Sequence, residues 1–198
     1  STYNIASNLS QKYKEIVHRR FGNGPSRREN LAVSMTKAKY STIIFMDMDL
    51  SVDLSFLPNL VLEIDKGYDI AIGSRYMGLK PHREFYRLMI SRMYNKIIRI
   101  FLGSKIKDHQ CGFKAMKRKV LRDLYKELGY DHSLIRGWFW DAELLVLAQK
   151  KGYRITEFPI TWDAGKQSSF SVKRELKMVP YILRFILASS ELRRKKNS

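Results

Sequence analysis

The residues best placed by type to do chemistry stand at the end of a short apolar run, where Ser41-Thr42-Ile43-Ile44-Phe45-Met46 leads into Asp47-Met48-Asp49. β-Branched and aromatic residues favour a strand, and an unbroken apolar run fits a central, buried one. Side chains at i and i+2 of a strand share a face, so Asp47 and Asp49 would present two carboxylates together. The carboxyl end of a strand is where open α/β sheets take ligands. Carboxylate oxygens suit Mg2+ or Mn2+, ions that commonly bridge to substrate phosphates. The competing reading is a solvated loop with two acids. The apolar strand in front and the basic remainder of the chain favour metal.

Other residues invite weaker readings. Arg75 follows Gly73-Ser74 at the end of a second predicted strand, where a guanidinium could clamp a diphosphate bidentately; the alternative is one surface arginine among many. Arg87 and Arg92 share a predicted helix but, five residues apart, not a face. His109 and Cys111 lack a third partner for nucleophilic catalysis, and a packed thiol is the better reading of Cys111. Asp141 and Glu143 precede an apolar helical stretch, where the helix dipole alone favours acids; the functional reading has Asp141 facing a substrate oxygen. Lys166 and Ser168 sit in a polar loop, which either closes over a substrate or merely connects.

The elements that must position these groups follow from periodicity and punctuation. Helices are expected over 5–17, 28–39, 55–66, 84–102, 117–128, 141–151 and 171–192, the last bent at Pro180. Strands are expected over 41–46 and 68–72, with an extended stretch over 153–162 interrupted by Pro159. Alternating strands and helices imply an α/β sheet protein. The 198 residues, without an internal repeat or linker, imply one domain.

Composition narrows the partners. The net charge of +18 predicts a polyanionic partner or surface. Nucleic acid is the weaker candidate, because no groove-reading motif or stacking platform accompanies the charge. A lone cysteine excludes an internal disulfide and fits a reducing compartment. The longest apolar stretch, 178–188, is interrupted by Arg184 and falls short of the roughly 20 residues a spanning helix needs. The final helix, backed by Arg193-Arg194-Lys195-Lys196, fits either core packing or a position in a membrane interface.

Several blocks occur in an order that resembles family 2 glycosyltransferases, in particular the dolichol-phosphate mannose and glucose synthase group. They are Ile43 to Ser51, Ile70-Ala71-Ile72-Gly73-Ser74-Arg75-Tyr76, the spaced Arg87, Ser91 and Asn95, Asp108-His109-Gln110-Cys111-Gly112-Phe113-Lys114-Ala115, Trp140 to Leu145 with Gly152 to Ile155, and Gly165 to Ser169. The resemblance implies a GT-A-like fold, a mixed and mostly parallel sheet flanked by helices, over residues 1–198, with 171–198 as a C-terminal helix and basic tail. It implies inverting transfer of a hexose from a nucleotide diphosphate sugar to a polyprenyl or dolichyl phosphate. Asp49, supported by Asp47, would hold the metal, and Asp141 would serve as a base or positioning group. Arg75 would meet the diphosphate; Arg87 and Lys166 would meet the acceptor phosphate; Ser168 would bind substrate from the same loop as Lys166; Asp108 would orient the acceptor-side block or cap a turn. The implied location is peripheral, at the cytoplasmic face of an anionic membrane. Ser1-Thr2 resembles the residues just after the family's Asp-Asp-Gly, so the expectation is an N-terminally incomplete fold: a fragment, a chain whose first strands another chain supplies, or a protein in which that part is reduced. The alternatives are a polysaccharide or protein acceptor, a non-catalytic subunit, and a nucleic-acid-binding basic module.

Overall fold

The structure, a computed structural model, describes residues 2–22, 28–47, 49–78, 85–163 and 176–197, of which 190–197 are described by backbone alone. The elements in chain order are α1 (Thr2–Lys12), α2 (Arg28–Thr36), β1 (Thr42–Met46), a single 3-10 turn (Leu54–Phe56), α3 (Leu57–Asp65), β2 (Ile70–Ser74), α4 (Phe85–Leu102), β3 (Phe113–Lys117), α5 (Arg118–Leu128), α6 (Phe139–Lys150), β4 (Ile155–Pro159) and α7 (Val179–Asn197).

Among the described residues four strands form one sheet in the order β1-β3-β2-β4. β1, β2 and β4 run the same way, and β3 runs against them between β1 and β2. Phe113-Lys114-Ala115-Met116-Lys117 was not an expected strand. Two lysines in five residues hide it, yet Phe113 to Met116 are all buried. The expected central position of β1 is not found: among the described residues it pairs with β3 alone, and burial alternates along it. An apolar run reports attraction to the core, not position in the sheet.

Pro159 closes β4 at a sheet edge, where a missing N–H costs no ladder bond. Pro180 lies in the first turn of α7, where no intrahelical N–H is required, so it starts the helix instead of bending its middle. α1 ends at Lys12, short of the expected Val17, and buries no residue; without burial a short helix has little to extend it.

The main core gathers around Ile70, Ile72, Phe113, Met116, Leu121, Leu124, Trp140 and Leu144, all at most 1% exposed. A second cluster joins Ile98 and Leu102 of α4, Phe139, Ala142 and Val146 of α6, and Tyr181 of α7. α6 therefore lies between two apolar layers and is buried nearly all round, as a helix without a polar face must be.

Candidate active site

β1 delivers Asp47 to the rim of the sheet. The Asp47 N–H donates to Gly112 O at 3.0 Å, which fixes the carboxylate beside the start of β3. A β-carbon on residue 112 would lie 1.8 Å from Asp47 Oδ2, so only glycine leaves room for that side chain. Asp49 is exposed, and its Oδ1 accepts the Ser51 N–H at 3.2 Å. Leu50 between them has φ of 50°, a left-handed conformation that a bulky residue adopts only under local constraint. The constraint is visible: Val52 bridges Trp162, and the Asp163 N–H donates to Ser51 O at 2.9 Å. Asp47, Asp49, Gly112, Phe113 and Trp162 thus line one small cleft. Among the described residues no group of three His, Cys, Asp or Glu side chains forms a metal cage. The pair still fits Mg2+ or Mn2+, since such ions are held by one or two carboxylates with phosphate oxygens completing the shell.

Behind Asp47 runs a chain of alternating charges. Arg28 Nη2 lies 3.4 Å from Asp47 Oδ1, and Arg28 Nε lies 3.0 Å from Asp141 Oδ2. The second contact is an ion pair off the hydrogen-bond axis. Lys114 Nζ donates to Asp141 Oδ1 at 2.9 Å and also to Cys111 O. The Arg28 guanidinium stacks 4.4 Å from the Trp138 ring, and Phe45 lies under both cations. Burial works against the Arg28 charge, but the carboxylates of Asp141 and Asp47 outweigh it and raise its pKa above the ordinary value. Asp141 stands in the first turn of α6, as expected, but it is buried and answers two cations.

At the end of β2, Arg75 and Asp108 satisfy each other. Arg75 Nε and Nη2 donate to Asp108 Oδ2 and Oδ1 at 2.7 and 2.6 Å, and the Arg75 backbone N–H adds a third bond at 3.0 Å. Both side chains are buried. Burial opposes both charges, yet the pairing wins: Asp108 is held below the usual carboxylate range and Arg75 above its ordinary value. The guanidinium faces the Trp162 ring at 4.9 Å. Arg75 therefore backs the wall of the cleft, and two of its nitrogens are committed to Asp108.

The profile of the family described as glycosyl transferase family 2 matches residues 1–125. The chain belongs to that family. It is 36% identical over 177 residues to glycosyltransferase AglD of Haloferax volcanii, covering 88% of this chain and 28% of that protein. It is 33% identical over 127 residues to polyprenol monophosphomannose synthase of Mycolicibacterium smegmatis, covering 62% of this chain and 46% of that one. A dolichyl-phosphate beta-glucosyltransferase of Saccharomyces cerevisiae is 35% identical over 97 residues, 47% of this chain and 28% of that protein. The chain thus spans less than half the length of each of these three relatives. The fold is shared with glucosyl-3-phosphoglycerate synthase from Mycobacterium tuberculosis, solved in complex with UDP, at a TM-score of 0.59 and 19% identity over 85% of this chain and 56% of that one. The expected GT-A-like α/β architecture is the one observed.

The other blocks of this family 2 chain make contacts of their own. Ser91 and Asn95 of α4 are buried links: Ser91 meets the Tyr76 hydroxyl, and Asn95 Oδ1 accepts from the His109 N–H at 2.9 Å and lies 2.6 Å from His109 Nδ1. They tie α4 to the end of β2 and to the Asp108-His109 turn. Arg87, one turn before Ser91, is half-buried and donates to the Tyr86 hydroxyl. Burial pushes His109 down to about 4 and the Cys111 thiol up to about 12, so neither is primed for nucleophilic chemistry at neutral pH. Lys166 and Ser168 lie outside the described residues. A separate cluster joins α6 to α7, where Arg136 Nε lies 3.2 Å from Glu143 Oε2 and the Tyr181 hydroxyl is 3.0 and 2.9 Å from the two Glu143 oxygens.

Sequence reasoning missed Arg28, Gly112, Lys114 and Trp162. Gly112 and Lys114 lie inside the 108–115 block whose resemblance to the family could have marked them. Nothing near Arg28 in sequence marks it out from the other 36 basic residues, given 37 Lys and Arg in all.

Proposed function

We propose that this chain carries the transfer site of an inverting, metal-dependent glycosyltransferase, which moves a hexose from a nucleotide diphosphate sugar to a polyprenyl or dolichyl phosphate. The observation that carries the reading is the Asp47–Asp49 carboxylate pair in its cleft at the carboxyl end of β1, in a chain of family 2. The names of the relatives, a polyprenol monophosphomannose synthase and a dolichyl-phosphate glucosyltransferase, supply the acceptor class. A lipid phosphate oxygen attacks the anomeric carbon as the bond to the nucleotide's diphosphate oxygen breaks. Mg2+ or Mn2+ bound by Asp47 and Asp49 would neutralise charge developing on the leaving diphosphate.

Asp141 has Lys114 at one oxygen and Arg28 at the other, so it serves as a positioning group. The acceptor phosphate is already ionised and needs no strong base. Arg75 acts through Trp162, while Arg87, Lys166 and Ser168 take the acceptor phosphate. The backbone leaves the described residues at Asp163, bonded to Ser51 beside the carboxylates, three residues before Lys166. The lipid acceptor also calls for contact with an anionic membrane surface, peripheral and on the cytoplasmic side. α4 offers exposed Phe85, Met89, Met93 and Ile100 with exposed Arg92, Lys96 and Arg99, a pairing suited to an anionic interface. No helix among the described residues is long and apolar enough to cross a membrane.

The test is a panel of radiolabelled nucleotide sugars with polyprenyl phosphate in anionic liposomes, with and without Mn2+. Lipid-soluble label from at least one donor, dependent on Mn2+, with the protein in the liposome pellet, is the expected result. No transfer to lipid from any donor overturns the reading.

A further inference from the structure

Arg28 is the feature that the transfer reading leaves unused. It is anchored at one end and loosely held at the other. The anchored end is Asp141, 2% exposed, 3.0 Å away and itself fixed by Lys114. The loose end is Asp47, whose side chain is 31% exposed and whose contact stretches to 3.4 Å. The guanidinium itself is held flat by Trp138 and Phe45, with only 11% of the side chain exposed. A cation so placed cannot leave, but its hold on Asp47 can be exchanged.

We infer that Arg28 is a built-in counter-cation of the carboxylate pair, a positioning residue that holds Asp47 until a divalent cation displaces it, and so sets the affinity of the site for that cation. The inference rests on reading Asp47 and Asp49 as the cation site. Two like charges near one carboxylate oppose each other, so Arg28 must weaken cation binding by an amount that depends on how much of its charge Asp141 absorbs. Asp141 draws Arg28 away from Asp47 and thereby favours the divalent ion. Arg28 and Asp141 then act on cation affinity in opposite directions, although they contact each other. A purely structural ion pair has no such signature, because loss of either partner would disturb the site in the same sense.

The experiment is Mn2+ titration of the protein followed by electron paramagnetic resonance, without nucleotide, for the wild type, Arg28→Gln, Arg28→Lys, Asp141→Asn and Asp49→Ala. Circular dichroism melts establish that each variant is folded. Arg28→Gln is expected to bind Mn2+ about tenfold tighter, Asp141→Asn about threefold weaker, and Arg28→Lys close to wild type. Should Arg28→Gln not fold, Asp141→Asn set against Arg28→Lys decides, and equal affinities overturn the inference. If Asp49→Ala abolishes Mn2+ binding while Arg28→Gln leaves it unchanged or weaker, the counter-cation role falls and the cation site stands. If the wild type binds no Mn2+ even after UDP is added to supply phosphate oxygens, or Asp49→Ala binds it equally well, both fall.

Discussion

Two acid-bearing strand ends lie on either side of β3, and they are built in opposite ways. At the end of β1, Asp47 and Asp49 face a cleft, with one long contact to Arg28 and one backbone N–H between them. Beyond β2, Arg75 and Asp108 are sealed from water and joined by three hydrogen bonds. Carboxylates left underpaired and accessible can take a new cation, whereas a buried pair whose charges already answer each other has far less to offer one. The difference separates the group that would do chemistry from the group that would support it, although sequence alone presents Asp47, Asp49, Arg75 and Asp108 all as candidates.

The largest expected effect tests the open end. Asp49→Ala should lower Mn2+-dependent sugar transfer about 100-fold or more, since the charge neutralised at a leaving diphosphate amounts to several kcal/mol. Its melting temperature should barely move, because the Asp49 side chain is exposed and has one backbone bond. Retained activity would erase the distinction between the two strand ends. The closed end should respond the other way. Asp108→Ala leaves the Arg75 charge buried without its partner and should cost about 3–5 kcal/mol of stability in urea unfolding. Replacing both, as Arg75→Met with Asp108→Leu, should recover much of that loss. If Asp108→Ala unfolds like the wild type but loses transfer, Asp108 belongs to the chemistry after all.

The α/β class and most helices were legible because apolar periodicity and glycine stops are local. The place of Asp47 and Asp49 was legible for the same reason, since the two acids directly follow the apolar run; the strand-face geometry was not, because β1 ends at Met46 and both acids lie beyond it. β3 was not, because Lys114 reads as a surface residue until Asp141, 27 positions away, is known to receive it. Arg28 was hidden likewise, since its partners lie 19 and 113 positions along the chain. The sequence could offer Arg75 to a diphosphate and Asp108 to an acceptor block, but not to each other. Charges that find partners over long separations are invisible to a reading built on neighbours.

A third acid refines the comparison, because it is buried and paired yet poorly satisfied. Among the described residues Glu143 meets Arg136 through a single 3.2 Å contact and the Tyr181 hydroxyl, with no backbone N–H. Burial, with Glu29 and Asp131 adding to it, outweighs Arg136 and Tyr181 and pushes Glu143 up to about 7 from an ordinary 4.5. Asp108 is more completely buried and moves the other way, so the number and geometry of its bonds decide the direction, not burial alone. A raised carboxyl binds its proton more tightly in the folded state. The resulting stability is fully present below 4.5 and is lost as pH rises through about 7. Thermal or urea unfolding should therefore show the wild type about 2 kcal/mol less stable at pH 7.5 than at pH 5 on account of this group. Glu143→Gln, neutral at both values, should remove that part of the pH slope while Tyr181 keeps an acceptor. An identical slope in Glu143→Gln would mean that Arg136 satisfies Glu143 as fully as Arg75 satisfies Asp108, and that one contact suffices where the comparison says three are needed.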